Sequence, residues 1–215
     1  MLKEEFVEIA GGVFTRNKSW SRLSSREKRS FLWNFYRFLP KDAYSIYGGF
    51  DVRKLKRDKL YSVEHIIPRS IIRHHLVGVQ RNGAECNPLN LAPSHTQLNQ
   101  LRQNNPFDLE EDLVARSLSL EYPSIHNDSV GLDAQNEWVL PARSKGDIAR
   151  SILYMNLTYG IPLSKEERST MKRWAKRDRV SNMEKQFNEW SMERWAIQNP
   201  FVTHPDIIDD TNLVG

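Results

Sequence analysis

Apolar residues recur at helical spacing near both ends of the chain. A Ser-x-x-Glu or Ser-x-x-Asp pattern, typical of the capping box at a helix N-terminus, opens four of these stretches, at Ser24, Ser144, Ser164 and Ser181. The second stretch reads GDIARSILYMNLTYG and stops at Gly160, a residue suited to the left-handed end of a helix. The pattern therefore predicts helices at both ends whose apolar faces form a core.

The middle of the chain is instead rich in β-forming residues. The stretch from Tyr44 to Ile67 contains YSIYGGFDV and LYSVEHII, separated by the lysine-rich LKRDK, and predicts a short strand pair with a turn between the strands. A glycine-containing loop follows, then a short apolar piece from Leu89 to Leu91, then a helix that starts at Ser94 and ends at Pro106. No long linker interrupts these parts, so we predict one α+β domain.

Composition narrows the class of protein. The 215 residues include 6 Trp, 7 Tyr and 9 Phe, too many aromatic residues for a disordered chain. No apolar run is long enough to span a membrane, and the N-terminal MLKEEFVEIAGG has acids where an export signal has bases. The single cysteine, Cys86, excludes a disulfide framework. We therefore expect no signal peptide, no membrane partner and a reducing, intracellular compartment.

Charged residues are distributed unevenly. Lys and Arg number 31 against 27 Asp and Glu, a net charge of only +4. The stretch from Asp51 to Arg81 has eight basic residues against three acidic ones, and that from Pro141 to Arg179 has ten against four. Between them, Pro106 to Glu137 has eight acidic residues against one basic residue. The alternation suits a polyanion partner, although ordinary solvated helix faces would produce it equally well.

Glu64 and His65 are the main candidates for chemistry. They stand at the end of a predicted strand, and the later helix carries His95, Asn99 and Arg102 at i, i+4 and i+7, the spacing of one helix face. Carboxylate and amide oxygens are ligands that Mg²⁺ prefers, and a histidine that titrates near neutrality can activate water. An isolated Glu-His pair is common, so the spacing alone leaves a structural role open.

Five motifs, and a looser sixth, resemble those of one nuclease family and follow the same order. They are IYGGFDVR at 46–53, VEHIIP at 63–68, NLAPSHTQLNQLRQN at 90–104, PARSKGDIARSILYM at 141–155, YGIPLSKEE at 159–167 and NPFVTH at 199–204. From Ile46 to Thr203 the chain therefore resembles the endonuclease I family of nonspecific nucleases, of the ββα-metal or His-Me finger class. The resemblance implies a mainly helical α+β domain around a central ββα-metal motif with a short antiparallel strand pair.

The resemblance also implies roles for individual residues. The family's general base maps to His65, and its two protein ligands for the metal map to Glu64 and Asn99. The family arginine that holds the scissile phosphate maps to Arg81. Arg102 follows the metal-binding asparagine, where we expect structural support or a contact with phosphate.

From these roles we expect a metal-dependent endonuclease. It would hydrolyse DNA, with RNA left open as a second substrate, show little sequence specificity and leave 5′-phosphate ends. Mg²⁺ is the expected cofactor, and Mn²⁺ is expected to replace it. Basic residues around 53–59 and 168–179 would hold the nucleic-acid backbone without reading bases, among them Arg53, Lys54, Lys56 and Arg57.

The motifs divide the chain into three parts. Residues 1–40 are predicted to form an N-terminal helical segment packed on the core, 41–205 the nuclease domain and 206–215 a C-terminal tail. Exported members of the family carry disulfides, whereas Gly48 and Phe50 stand here in place of two of their cysteines. This difference fits an intracellular, or phage- or virus-associated, protein.

Three alternatives stay open. A site-specific enzyme of the restriction or homing type would need a base-reading element, for which the N-terminal segment or the loop from His74 to Arg81 is available. A nucleic-acid-binding protein without catalysis would not explain why Glu64, His65 and Asn99 occur together. A purely structural helical protein would leave the ordered motifs unexplained. We further expect a monomer, and a protein inhibitor or tight timing that would protect the host from an unexported nuclease.

Overall fold

The computed structural model describes residues 24, 32–33, 35–36, 43–107, 130–132, 139–141 and 144–211. The α-helices bounded within these residues are α1 (Val52–Arg57), α2 (Arg69–His75), α3 (Gly78–Cys86), α4 (Thr96–Arg102), α5 (Lys145–Tyr159), α6 (Lys165–Arg177), α7 (Asn182–Trp195) and α8 (Pro200–Thr203). The strands are β1 (Tyr61–His65), β2 (Leu91–His95), β3 (Val130–Leu132) and β4 (Val139–Pro141). Two 3₁₀ turns cover Pro88–Asn90 and Pro205–Ile208.

The centre of the fold is a two-stranded antiparallel sheet followed by a helix. Strands β1 and β2 pair so that Glu64 lies opposite Ala92 and His65 lies opposite Leu91. Helix α4 begins directly after β2 and packs against both strands. The predicted α+β class, mainly helical with a short antiparallel strand pair, is confirmed. The second small sheet, β3 paired antiparallel with β4, was not predicted.

The prediction of a strand pair within Tyr44 to Ile67 is wrong. Only β1 forms there, and it pairs with β2, while the earlier segment makes one isolated bridge, Tyr44 to Asp51. The predicted lysine-rich turn is helix α1, because the Asp51 side chain caps it by accepting hydrogen bonds from two backbone amides. Val52 and Leu55, three positions apart, bury one face of this helix.

The predicted loop between the strands also contains regular structure. Helices α2 and α3 and the first 3₁₀ turn fill it, each anchored by few buried side chains, such as Ile72 in α2 and Ala84 in α3. Short helices of this kind carry too few apolar residues to give a periodic signal. The following helix starts at Thr96, two residues later than predicted, because Ser94 and His95 still pair with β1.

The C-terminal helices follow their sequence signals with one exception. Ser164 and Ser181 form complete capping boxes, and Gly160 ends α5 in the left-handed conformation, as predicted. Ser144 makes no capping hydrogen bond, because its own backbone is left-handed. The capping box predicted at Ser24 also needs Glu27, which lies outside the described residues.

Helix α5 runs through the core of the described structure. Its predicted apolar stripe is buried, and α6, α8 and the first 3₁₀ turn pack around it. The described part of the N-terminal segment joins the same core: Leu32 is fully buried, and the rings of Phe35 and Tyr36 pack against Phe187 of α7. None of the helices among the described residues is both long and apolar enough to cross a membrane.

Candidate active site

The end of strand β1 is held in place by Asn90. Its side chain, fully buried, accepts a hydrogen bond from the Ile67 amide at 2.8 Å and donates one to the Ile67 carbonyl at 3.1 Å. Its backbone carbonyl accepts from the Ile66 amide at 3.0 Å. These three bonds replace the strand ladder where β1 stops, and they fix the backbone immediately after Glu64 and His65.

Glu64 is buried and already paired. Its Oε1 accepts a hydrogen bond from the Tyr47 hydroxyl at 2.5 Å and one from Arg102 Nη1 at 3.0 Å. Burial raises the pKa of Glu64, and the Arg102 charge and the Tyr47 hydroxyl act against that rise. Both bonds are made to Oε1 and neither occupies Oε2.

Arg102 joins the strand end to helix α4. Besides Glu64, it donates to the backbone carbonyls of His65 at 3.1 Å and Ile66 at 2.8 Å, and its guanidinium lies over the Phe107 ring. Arg102 is only 2% exposed. Of the two roles expected for it, this geometry fits structural support, because a buried guanidinium committed to Glu64 and to the backbone does not reach a nucleic acid at the surface.

Asn99 lies one helical turn before Arg102 and faces the same strand. Its Nδ2 donates to the Ser62 hydroxyl at 3.1 Å and to the Val63 carbonyl at 3.2 Å. Because the amide nitrogen makes both bonds, the Oδ1 atom of Asn99 takes part in neither. His95, expected on the same helix face, is instead the last residue of β2, where its fully buried ring accepts a hydrogen bond from the Gln97 amide.

The His65 ring lies beside helix α3. Its Nε2 lies 3.0 Å from the backbone carbonyl oxygen of Glu85. A carbonyl oxygen only accepts, so Nε2 carries the hydrogen, and in the neutral ring Nδ1 is then the unprotonated nitrogen. Burial lowers the pKa of His65, the Glu85 carbonyl opposes this, and the positive charge of Arg69 adds to the lowering. Burial and the Arg69 charge thus both favour the neutral form of the ring.

The oxygen donors at this strand end fit a hard divalent cation. Glu64 offers Oε2 and Asn99 offers Oδ1, both beside β1. The bonds from Tyr47 and Arg102 to Glu64 do not use Oε2, and the bonds from Asn99 to Ser62 and Val63 do not use Oδ1. Mg²⁺ binds through one or two carboxylate or carbonyl oxygens and keeps several waters. Among the described residues no cluster of three or more His, Cys, Asp or Glu side chains forms a metal cage. A sparse oxygen site is therefore the kind of metal site that these residues could form.

The predicted nucleic-acid contacts other than Arg102 lie on helices α1 and α3. Arg81 is exposed on α3, one turn before Glu85. Lys54, Lys56 and Arg57 are exposed on α1, and Arg53, on the same helix, is half-buried and paired with Asp51. The ammonium group of Lys56 also lies over the rings of Trp33 and Tyr61, at 5.4 and 5.1 Å.

Three residues of the site were missed by the sequence reasoning. Tyr47 lies in the first motif, and its buried hydroxyl on Glu64 could have been suspected only from that position. Asn90 precedes β2 in the third motif and could have been proposed as a strand-end clamp. Glu85 binds His65 through its backbone, so its residue type carried no signal for that contact.

One comparison with known proteins gives a match over most of the chain. The family described as Endonuclease I matches residues 15–206. This match begins before the first motif, so it includes part of the N-terminal segment for which the motifs gave no counterpart. No curated protein sequence matches the chain.

Proposed function

Because the chain belongs to the endonuclease I family and is a nuclease, we propose that it is a metal-dependent endonuclease with His65 as general base. The observation that supports this most is the contact between His65 Nε2 and the Glu85 carbonyl. It orients the ring and leaves Nδ1 unprotonated, which is the state a general base needs.

The chemistry is hydrolysis of a phosphodiester. His65 Nδ1 takes a proton from a water molecule, whose oxygen forms a bond to phosphorus as the bond from phosphorus to the 3′-oxygen breaks. The 3′-oxygen leaves with a proton from solvent, and the 5′ side keeps the phosphate. Arg81, exposed on α3, is proposed to hold the scissile phosphate through its planar donor fork.

Glu64 and Asn99 are proposed to hold the cation, with Mg²⁺ as the cofactor and Mn²⁺ as its replacement. When bound, the cation supplies positive charge that stabilises the extra negative charge on the phosphate and the leaving oxygen. The protein's own contribution is orientation. Arg102 and Tyr47 hold the Glu64 carboxylate, and Ser62 and the Val63 carbonyl hold the Asn99 amide.

The proposed substrate is DNA, with RNA as a second substrate, bound without base reading. The exposed basic residues of α1, Lys54, Lys56 and Arg57, support this because they offer charge to a phosphate backbone. Binding through phosphates alone depends steeply on salt and little on sequence.

The experiment is incubation of the protein with supercoiled plasmid and with RNA, with Mg²⁺, with Mn²⁺ and with EDTA. We expect a smear of products from plasmid in either metal and no cleavage in EDTA. Discrete fragments would instead identify a site-specific enzyme. Binding without cleavage in any metal would identify a nucleic-acid-binding protein that lacks catalysis and would overturn the proposal.

A further inference from the structure

Arg69 and Arg73 of helix α2 both bind the side chain of Glu85, the residue whose backbone carbonyl contacts His65. Arg69 donates from Nε and Nη2 to Glu85 Oε2, at 3.2 and 3.0 Å. Arg73, one helical turn later, donates from Nε to Glu85 Oε1 at 2.7 Å and from Nη2 to Oε2 at 3.3 Å. The carboxylate is thus held from the same helix by two cations.

The two arginines are largely in solvent, whereas their common partner is not. The side chains of Arg69 and Arg73 are 54% and 52% exposed, and that of Glu85 is 13% exposed. Ion pairs with solvent-exposed partners usually contribute little to the free energy of unfolding. Two cations on one carboxylate also leave one unit of positive charge uncompensated. Stabilisation of the fold therefore does not explain why two arginines bind this one carboxylate.

The position of Arg69 and Arg73 beside the proposed base favours a role in binding the substrate. The backbone carbonyl of Glu85 is the group 3.0 Å from His65 Nε2, so both guanidinium groups are bound to the residue that touches the proposed base. Glu85 is also the single acidic residue in the sequence from 65 to 101, a stretch that contains three arginines. The surface beside His65 is therefore positive.

Both guanidinium groups keep donors for a further ligand. Each uses Nε and Nη2 on Glu85, so the Nη1 group of each takes no part in these bonds. An arginine has five N–H donors in a planar fork, which suits the oxygens of a phosphodiester. Glu85 fixes the two forks side by side before a ligand arrives, which reduces the rotamer entropy that binding must remove.

We propose that Arg69 and Arg73 bind the phosphodiester backbone of the nucleic acid next to the scissile bond, and that Glu85 both orients them and competes with the phosphate for them. The proposal rests on the proposed function and extends it, because it assigns a substrate-binding pair distinct from Arg81. It makes an unusual prediction: removing the arginines weakens binding, whereas removing the charge of Glu85 strengthens it.

The test measures affinity for a fluorescent DNA duplex in EDTA over a series of salt concentrations, with intact DNA checked on a gel. The variants are Arg69→Ala, Arg73→Ala, the double variant and Glu85→Gln. Lys185→Ala, which removes an exposed positive charge from α7, is the matched control. Arg69→Lys and Arg73→Lys keep the charge and test the role of the planar fork should an alanine variant fail to fold.

The salt dependence gives the expected shift. Each lost phosphate contact should make the slope of log K against log salt shallower by about 0.9, and the double variant by about twice that. Glu85→Gln should bind more tightly than the native protein. The lysine variants should keep the slope and lose part of the affinity. Lys185→Ala should change the slope less than either arginine variant.

Two results would overturn the inference. In one, the arginine variants change the slope no more than Lys185→Ala does. In the other, Glu85→Gln weakens binding together with the arginine variants, as it would if the three side chains formed only a structural bridge. Plasmid cleavage by the native protein in Mg²⁺ tests the endonuclease function separately. If the native protein cleaves, either of these two results counts only against the phosphate-binding role of Arg69 and Arg73.

Discussion

The backbone carbonyl of Glu85 lies 3.0 Å from Nε2 of His65 and fixes which ring nitrogen can act as a base. Because the bond is made to the backbone, it survives a change of the Glu85 side chain. Glu85 of α3 thus contacts both parts of the site. Its backbone carbonyl binds the base His65, and its carboxylate binds Arg69 and Arg73, which make the neighbouring surface positive.

The first prediction concerns the pH dependence of cleavage. Burial lowers the pKa of His65 below its ordinary value of 6.5, and a base acts in its neutral form. Cleavage should therefore rise with pH through an inflection below 6.5 and level off above it. Initial rates at saturating Mg²⁺ measure the profile. An inflection above 7, or a profile that is unchanged in His65→Ala, would contradict the role of His65.

The second prediction concerns the metal. Asn99→Ala removes a proposed ligand, so the Mg²⁺ concentration for half-maximal cleavage should rise by roughly tenfold or more. Gln100→Ala, at an exposed position of the same helix, is the matched control. Glu64→Gln should raise the requirement as Asn99→Ala does. An unchanged titration in Asn99→Ala would remove that residue from the metal site.

The third prediction concerns stability. Arg102→Ala leaves the Glu64 carboxylate buried without its cation, and loss of one partner of a buried pair costs about 3–5 kcal/mol in the free energy of unfolding. Tyr47→Phe removes one hydrogen bond to the same carboxylate and should cost about 1–3 kcal/mol. Urea denaturation measures both. Arg57→Ala, an exposed control, should change little, and an equally small effect for Arg102→Ala would contradict the structural role.

The fourth prediction concerns a carboxyl group far from the chemistry in sequence. Asp147 and Glu184 both contact the buried Arg150, at 3.2 and 2.6 Å. Burial raises the pKa of Asp147 well above 3.8, and the negative charge of Glu184 adds to the rise. The folded state then holds the Asp147 proton more tightly than the unfolded state does. The resulting contribution to the free energy of unfolding is fully present below pH 3.8 and is lost as the pH rises towards the pKa of Asp147 in the folded state.

Asp147→Asn removes this titration, so the free energy of unfolding of the variant relative to the native protein should increase as the pH rises above 3.8. Urea denaturation across that range measures the difference. Asp206→Asn changes an exposed carboxylate and serves as the control. A difference between Asp147→Asn and the native protein that does not vary with pH would show that Asp147 titrates alike in both states.

Local signals predicted the elements that depend on local contacts. The capping boxes at Ser164 and Ser181 and the helix end at Gly160 are confirmed, because each signal involves residues within one turn of the helix. The box expected at Ser144 does not form, because the Ser144 backbone is left-handed. The Gly146 amide in the first turn donates to the side chain of the distant Asp178 instead, and Asp147 bonds to Arg150 of the same helix.

The sequence identified candidate residues of the site but not the contacts that those residues make. The pair Glu64 and His65 was found from its position at a strand end, and β1 does end at His65. Their partners come from distant segments: Tyr47 lies 17 positions before Glu64, and Glu85 lies 20 positions after His65. Such contacts depend on how α3 and β1 pack, and a backbone acceptor leaves no trace in the residue type.

The measurement that tests the account most directly compares plasmid cleavage by the native protein and by His65→Ala at saturating Mg²⁺, with DNA affinity determined in parallel. A general base contributes about 10²–10⁴-fold, so His65→Ala should cut the plasmid at least a hundredfold more slowly. Its affinity for DNA should be unchanged, because the basic surfaces of α1 and α2 are intact. Cleavage by His65→Ala at the native rate would contradict the proposed mechanism.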